Sequence, residues 1–185
     1  MTYTEQYNKA KLNPSKVPEI KLMTNRILAN RNRYEGIQAV NGCPWWCVGM
    51  IHMMEAGGKK NPFAGHLHNG DPLTAKTVNV PKGRPAGNPP FTWEQSALDA
   101  IAYMEGANRT WRRLKGKWDF ESTIEKLEAY NGLGYKRMGV PSPYLWSYTD
   151  FYVSGKYVAD KKYDPKAVSK QPGVCAMMKV MGITP

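Results

Sequence analysis

The segment "VGMIHMMEAGG", residues 48–58, places one carboxylate, Glu55, at the end of an otherwise apolar run. A carboxyl group in apolar surroundings keeps its proton to higher pH than one in water, because burial penalises the charged form. Such a group can serve as a general acid; the plain alternative is a solvated glutamate at a helix end. A polar cluster follows in "HLHNGDPLTAKT", which gathers His66, His68, Asn69, Asp71, Thr74 and Thr77 within twelve residues. If this segment folds back on the end of the Glu55 helix, a cleft results with one carboxyl in apolar walls and a second, Asp71, in a hydrogen-bonded setting. Cleavage of a glycosidic bond needs such a divided pair: a protonated acid at the leaving oxygen and an ionised partner at the other sugar face. "NGDP" is also ordinary turn chemistry, with glycine supplying a positive φ and aspartate bonding the backbone. The remaining carboxylates are poorer partners. Glu94, Glu121, Glu125 and Glu128 fall in first turns or on exposed helix faces, Glu105 precedes Gly106, and Asp99 reads as a core hydrogen-bonder.

The elements that must position these groups follow from periodicity. The first ~18 residues are polar and broken by Pro14 and Pro18, so residues 1–20 read as an arm. Apolar positions from Leu22 to Val40 predict a helix from about Lys21 to Ala39 that "NGCP" breaks. Pro44 suits a first helical position, and Trp46, Val48, Met50, Ile51, Met53 and Met54 cover nearly every side of the next helix. That pattern predicts a central, buried helix, with Glu55 in its last turn and a left-handed Gly57 or Gly58 ending it. Residues 57–91, rich in Gly and Pro, predict a loop and a short hairpin at "TAKTVNVP". "TWEQ" and "STIE" read as capping boxes opening two further helices, the second ending at "NGLG". Ser142-Pro143 starts another, running through Phe151 and Tyr152, and a short one spans Pro172 to Met181. The expectation is an α+β layout of five or six helices, mostly helical, with one small β-hairpin region. Residues 21–185 are expected to form one catalytic domain.

The chain has 185 residues and a net charge of +11, with 26 basic against 15 acidic residues. This excess favours polyanionic partners such as nucleic acid, an anionic envelope surface or an acidic wall polymer. The charges are scattered rather than blocked. No apolar run reaches the ~18 residues of a membrane span, and no apolar signal segment opens the chain. Three cysteines, Cys43, Cys47 and Cys175, make a disulfide framework or a zinc site a poor fit, and no metal or other cofactor is expected.

The apolar helix ending in glutamate, the polar segment after it and "EAYNGLGY" together resemble the lysozyme superfamily of phage endolysins and lytic transglycosylases. "HLHNGDPLTAKTVNVPKGRP", "FTWEQSALDA" and "SPYLWSYTDFYVSGKYV" are similar to lysozyme-like proteins of phages and bacteria, a likeness that covers Pro44 to Val158. The glutamate is followed by Ala-Gly where lytic transglycosylases commonly have Ser, and Glu55 and Asp71 stand wider apart than in tailed-phage lysozymes. The resemblance implies a lysozyme-like fold with Glu55 as general acid, Asp71 holding or activating water, and Thr77 as helper. It implies that Tyr130 and Asn131 line the floor of the cleft, with His66, His68 and Asn69 contacting sugar. Tyr144 and Trp146 would stack on sugar faces or, at their helical spacing, belong to the core.

These readings make a monomeric peptidoglycan hydrolase of muramidase type the leading expectation. It would be made in a host cytoplasm without a signal peptide and act on periplasmic cell wall after release. A lytic transglycosylase using Glu55 alone comes next, and a chitinase or chitosanase third, since a cationic substrate would be repelled. From another class stands a nucleic-acid binder gripping phosphates through "RTWRRLKGKW" around Trp111 and Trp118, although no zinc-finger, RNA-recognition or P-loop signature is present. A catalytically dead structural protein of the same fold completes the set.

Overall fold

The computed structural model describes residues 1–57 and 59–185. Among these the protein is mostly helical, with ten α-helices and one small two-stranded antiparallel hairpin. Its contacts divide it into two compact units: Arg26–Trp118, and Met1–Asn25 with Asp119–Pro185.

The N-terminal part of the Met1–Asn25, Asp119–Pro185 unit is more ordered than an arm. Helix α1 (Tyr3–Lys9) opens with a complete capping box between Thr2 and Glu5. Its free amides at Tyr3 and Thr4 each donate to the Glu121 carboxylate at 2.8 Å. Tyr7 is buried edge-on against Phe120, with ring centroids 4.9 Å apart. Polar composition and two prolines suggested an arm, but an amphipathic turn with its own cap needs only one buried aromatic. A 3-10 turn at Pro14–Lys16 leads into α2 (Val17–Ala29), within which the division between units falls.

The helix predicted from about Lys21 to Ala39 is two helices, α2 and α3 (Arg31–Asn41), separated at Asn30. Glycine at position 42, with φ +76°, ends α3 in the left-handed conformation. Helix α4 (Trp45–Ala56) begins one residue after Pro44, which caps it, and every residue from Cys47 to Met53 is buried. It lies close against its neighbours: a Cβ at Gly49 would fall 2.6 Å from Ile27 Cγ2 and 3.3 Å from the Tyr34 ring. Gly57 continues in the right-handed region at φ −60° rather than the left-handed one expected, and Gly58 lies outside the described residues.

The hairpin predicted at "TAKTVNVP" is absent: residues 65–91 hold only an isolated bridge between Gly65 and Pro72. Four prolines between Pro81 and Pro90 remove the donors a ladder would need. Helix α5 (Trp93–Ala107) starts with the predicted Thr92–Gln95 capping box, both bonds formed. Helix α6 (Arg109–Arg113) completes the 26–118 unit and buries Trp111.

In the other unit, α7 (Phe120–Asn131) is capped by Asp119, not by Ser122, so the second predicted capping box starts two residues inside a helix. Short helices α8 (Gly134–Met138) and α9 (Pro143–Trp146) follow; α9 stops well before Phe151, the chain leaving it at Ser147 (ψ 140°) and turning to φ +68° at Tyr148. The hairpin pairs β1 (Lys156–Ala159) with β2 (Lys162–Asp164), and α10 (Val174–Val180) buries Cys175, Met177 and Met178. No helix among the described residues is long and apolar enough to cross a membrane.

Candidate active site

Glu55 occupies the last turn of α4, half-buried, with no hydrogen-bond or ion-pair partner among the described residues. Burial pushes its carboxyl up from the usual carboxylate range to about 7. The negative end of the helix dipole works in the same direction. One turn earlier, His52 is buried, with Nδ1 accepting from the Tyr34 hydroxyl at 2.9 Å and Nε2 donating to the Pro62 carbonyl at 3.1 Å. That arrangement needs a neutral ring, and burial holds its pKa down at about 4. His52 therefore supplies no positive charge to draw the proton from Glu55. The His52 ring also packs with Phe63 and Trp93, at centroid distances of 4.5 and 4.8 Å.

The polar loop does fold onto the end of α4. Lys59 donates to the Gly70 carbonyl, and a Cβ at Gly70 would stand 3.0 Å from the Glu55 carbonyl oxygen. Gly70, at φ +75°, is thus required both for its conformation and for its closeness to the helix. Arg26 donates to the Gly57 carbonyl, satisfying one of the helix's terminal acceptors.

Asp71 anchors the inside of that loop. Its Oδ2 accepts from the amides of Val78 at 2.9 Å and Asn79 at 3.1 Å and from Asn69 Nδ2 at 3.1 Å, while Oδ1 accepts from Asn79 Nδ2 at 2.9 Å. Partial burial opposes ionisation, but the donors of Asn79, Val78 and Asn69 outweigh it and hold the carboxyl below its ordinary value. Glu55 and Asp71 thus have pKa values displaced in opposite directions, the division that acid–base chemistry on a sugar bridge requires.

The other expected residues in this loop serve as ties. Thr77, 1% exposed, donates to the Pro81 carbonyl and accepts from the Arg84 amide at 2.9 Å, so its hydroxyl is occupied on both sides. His66 is fully buried; Nε2 donates to the Ala75 carbonyl at 2.7 Å, leaving Nδ1 to accept from Ser96 at 2.9 Å. His68 donates from Nε2 to Asp99 at 2.8 Å, and its side chain is 1% exposed. Burial lowers the His68 pKa against the opposing pull of Asp99. Neither histidine presents a ring to a ligand. Asn69, with Oδ1 accepting from the Asp71 amide at 3.0 Å, stabilises the same turn while remaining partly exposed.

The group that locks this loop to α5 is Asp99, expected as a core hydrogen-bonder; its partners were not legible in the sequence. Asp99 is gripped by both His68 and Arg84, the latter through Nε at 2.9 Å and Nη2 at 2.5 Å. Ser96, His68 and Asp99 form a hydroxyl–imidazole–carboxylate series, but Ser96 is fully buried and already accepts from the Leu67 amide at 3.1 Å. No substrate reaches it. The spacing of Ser96 and Asp99, one turn apart on one helix face, was the available signal.

Tyr130, Asn131, Tyr144 and Trp146 belong to the other unit. Tyr130 and Asn131 end α7, the first half-buried and the second exposed. Trp146 is 2% exposed and packs on Phe151 at 5.2 Å, which makes it a core residue. Tyr144 is buried too, although it lines a small concavity with Asn131. The three cysteines are buried and form no disulfide, and among the described residues no cluster of His, Cys, Asp and Glu is arranged to hold a metal ion.

No protein-family model, no curated protein and no solved structure matches this chain. Its function must be read from the side chains.

Proposed function

We propose that the protein is a peptidoglycan glycosidase of the muramidase type, with a lysozyme-like fold and Glu55 as its general acid. The observation that carries the reading is the elevated carboxyl at the end of the buried helix. At neutral pH a group titrating at about 7 is partly protonated, so it can hand a proton to the glycosidic oxygen and be recharged from solvent. Asp71 stays ionised beside the same helix end and is the candidate base for water. The net charge of +11 suits an anionic cell envelope, and the resemblance of Tyr130, Asn131 and Gly132 in "EAYNGLGY" to the Tyr-Asn-Ala-Gly-like motif of lytic transglycosylases and goose-type lysozymes supports the same substrate.

One observation favours a second reading. The Asp71 carboxylate is already engaged by four donors. An enzyme without a free second carboxylate would act as a lytic transglycosylase, with Glu55 serving as acid and then as base. The nucleic-acid reading loses one of its two aromatics, since Trp111 is fully buried, while Trp118 is half-buried.

The test is turbidity clearing of outer-membrane-permeabilised cells by wild type and Glu55→Gln, with the mass of the released muropeptides. Clearing by wild type alone supports the glycosidase; equal clearing by both removes it. Reducing ends indicate hydrolysis, and anhydro ends, lighter by one water, indicate transglycosylation.

A further inference from the structure

Two adjoining concavities in the unit that carries α7 share Asn131, Tyr135 and Tyr157. The larger, about 690 Å³, continues along β1 and the hairpin turn; the smaller, about 180 Å³, is closed by Lys156, Ser169 and Gln171. The larger falls in the size range of small-ligand sites.

Its aromatic wall is rigidly built. The Tyr157 amide donates to the Tyr135 hydroxyl at 3.0 Å, pinning β1 to α8. The Tyr157 ring packs edge-on against Tyr135 and Tyr163, with centroids 5.2 and 5.6 Å away. A Cβ at Gly134 would meet that ring at 3.1 Å, so glycine there lets the ring lie against the backbone. The ring remains half-buried, and around it stand the exposed amides of Asn131 and Gln171. An apolar ring face flanked by planar amides matches a pyranose, whose C–H face stacks while its hydroxyl and acetamido groups form hydrogen bonds. Lys156, half-exposed and without an ion-pair partner among the described residues, adds a positive charge at the rim.

We infer that this groove binds an amino-sugar strand bearing a carboxylate, a muramyl-peptide unit in preference to neutral chitin, with Tyr157 as the stacking platform and Lys156 meeting the acid. The choice of sugar rests on the peptidoglycan reading above. The groove itself does not depend on Glu55.

The experiment uses the full chain carrying Glu55→Gln, so that ligand survives, and calorimetric titration with a disaccharide-peptide dimer and with chitotetraose. Expected are tighter binding of the muropeptide, at least about tenfold weakening by Tyr157→Ala, and near-parental binding by Tyr157→Phe. Lys156→Ala should weaken the muropeptide roughly two- to fivefold and leave chitotetraose unchanged. Because Tyr157→Ala can loosen the hairpin, Asn131→Ala, an exposed change, supplies a second reading of the groove and should also weaken binding. Parental affinity in Tyr157→Ala, Asn131→Ala and Lys156→Ala, or equal affinity for both ligands, would overturn the inference. Clearing of cells is scored separately on the wild type. Groove-dependent binding without clearing removes only the glycosidase reading, and clearing with unaffected variants removes only the groove.

Discussion

The backbone of Gly70 rests on the carbonyl of Glu55, so closely that a Cβ at position 70 would stand 3.0 Å from that oxygen. The loop carrying Asp71 is therefore set against the turn of α4 that carries Glu55. Gly70→Ala must bear a positive φ and a backbone clash together. We expect a loss of about 1–3 kcal/mol in urea unfolding, with reduced clearing activity. Wild-type stability would show that the loop does not dock there.

The raised carboxyl of Glu55 makes stability depend on pH. Its folded value, about 7, lies above its ordinary value of 4.5, so between those limits the folded chain binds more protons than the unfolded one. Stability should fall as pH rises through this window and level off above it. At 1.36 kcal/mol per unit the cost is at most about 3 kcal/mol, reduced by the solvent contact Glu55 retains. In Glu55→Gln that component of the decline should vanish, leaving the variant the more stable of the two at pH 8. Parallel wild-type and variant curves of unfolding free energy from pH 4.5 to 8 would refute the burial argument.

Activity should follow the same group. With Glu55 as the acid, kcat/KM should decline above about pH 7, approaching tenfold per unit. Glu55→Gln should lose about 10²–10⁴-fold. Both are measured by initial clearing rates on permeabilised cells.

Asp71→Asn separates charge from architecture. Rotating the Asn79 amide lets it accept from the new Nδ2 at the Oδ1 position, while the remaining oxygen keeps the Val78 and Asn79 amides. The loop should persist at a cost of about 1 kcal/mol, and clearing should fall at least about tenfold if the carboxylate activates water. Retained activity with anhydro products would transfer the assignment to the transglycosylase.

Asp99→Ala tests the lock between loop and α5. It strands the buried His68 donor and half-frees Arg84, which should cost about 2–4 kcal/mol. Unfolding in urea measures it.

Local patterns explain which elements were legible. The Thr92–Gln95 box is complete within four residues, and it opened α5 as expected. The apolar circumference of α4 announced a buried helix, because burial on every side leaves no polar face to place. The hairpin was misplaced because alternation in "TAKTVNVP" carries no information about a pairing partner. The real pair, Lys156–Ala159 with Lys162–Asp164, is bounded by charged residues that mask its period.

The chain's own order of residues determined that a carboxylate would sit in the last turn of an apolar helix, and that a polar, glycine-bearing loop would follow it. Only the tertiary structure decided what each loop side chain does. His66, His68 and Thr77 have the chemistry to meet a ligand, yet contacts with Ala75, Ser96, Asp99, Pro81 and Arg84 turn them inward. A side chain's type states which hydrogen bonds it can make; long-range packing chooses which of those bonds it does make.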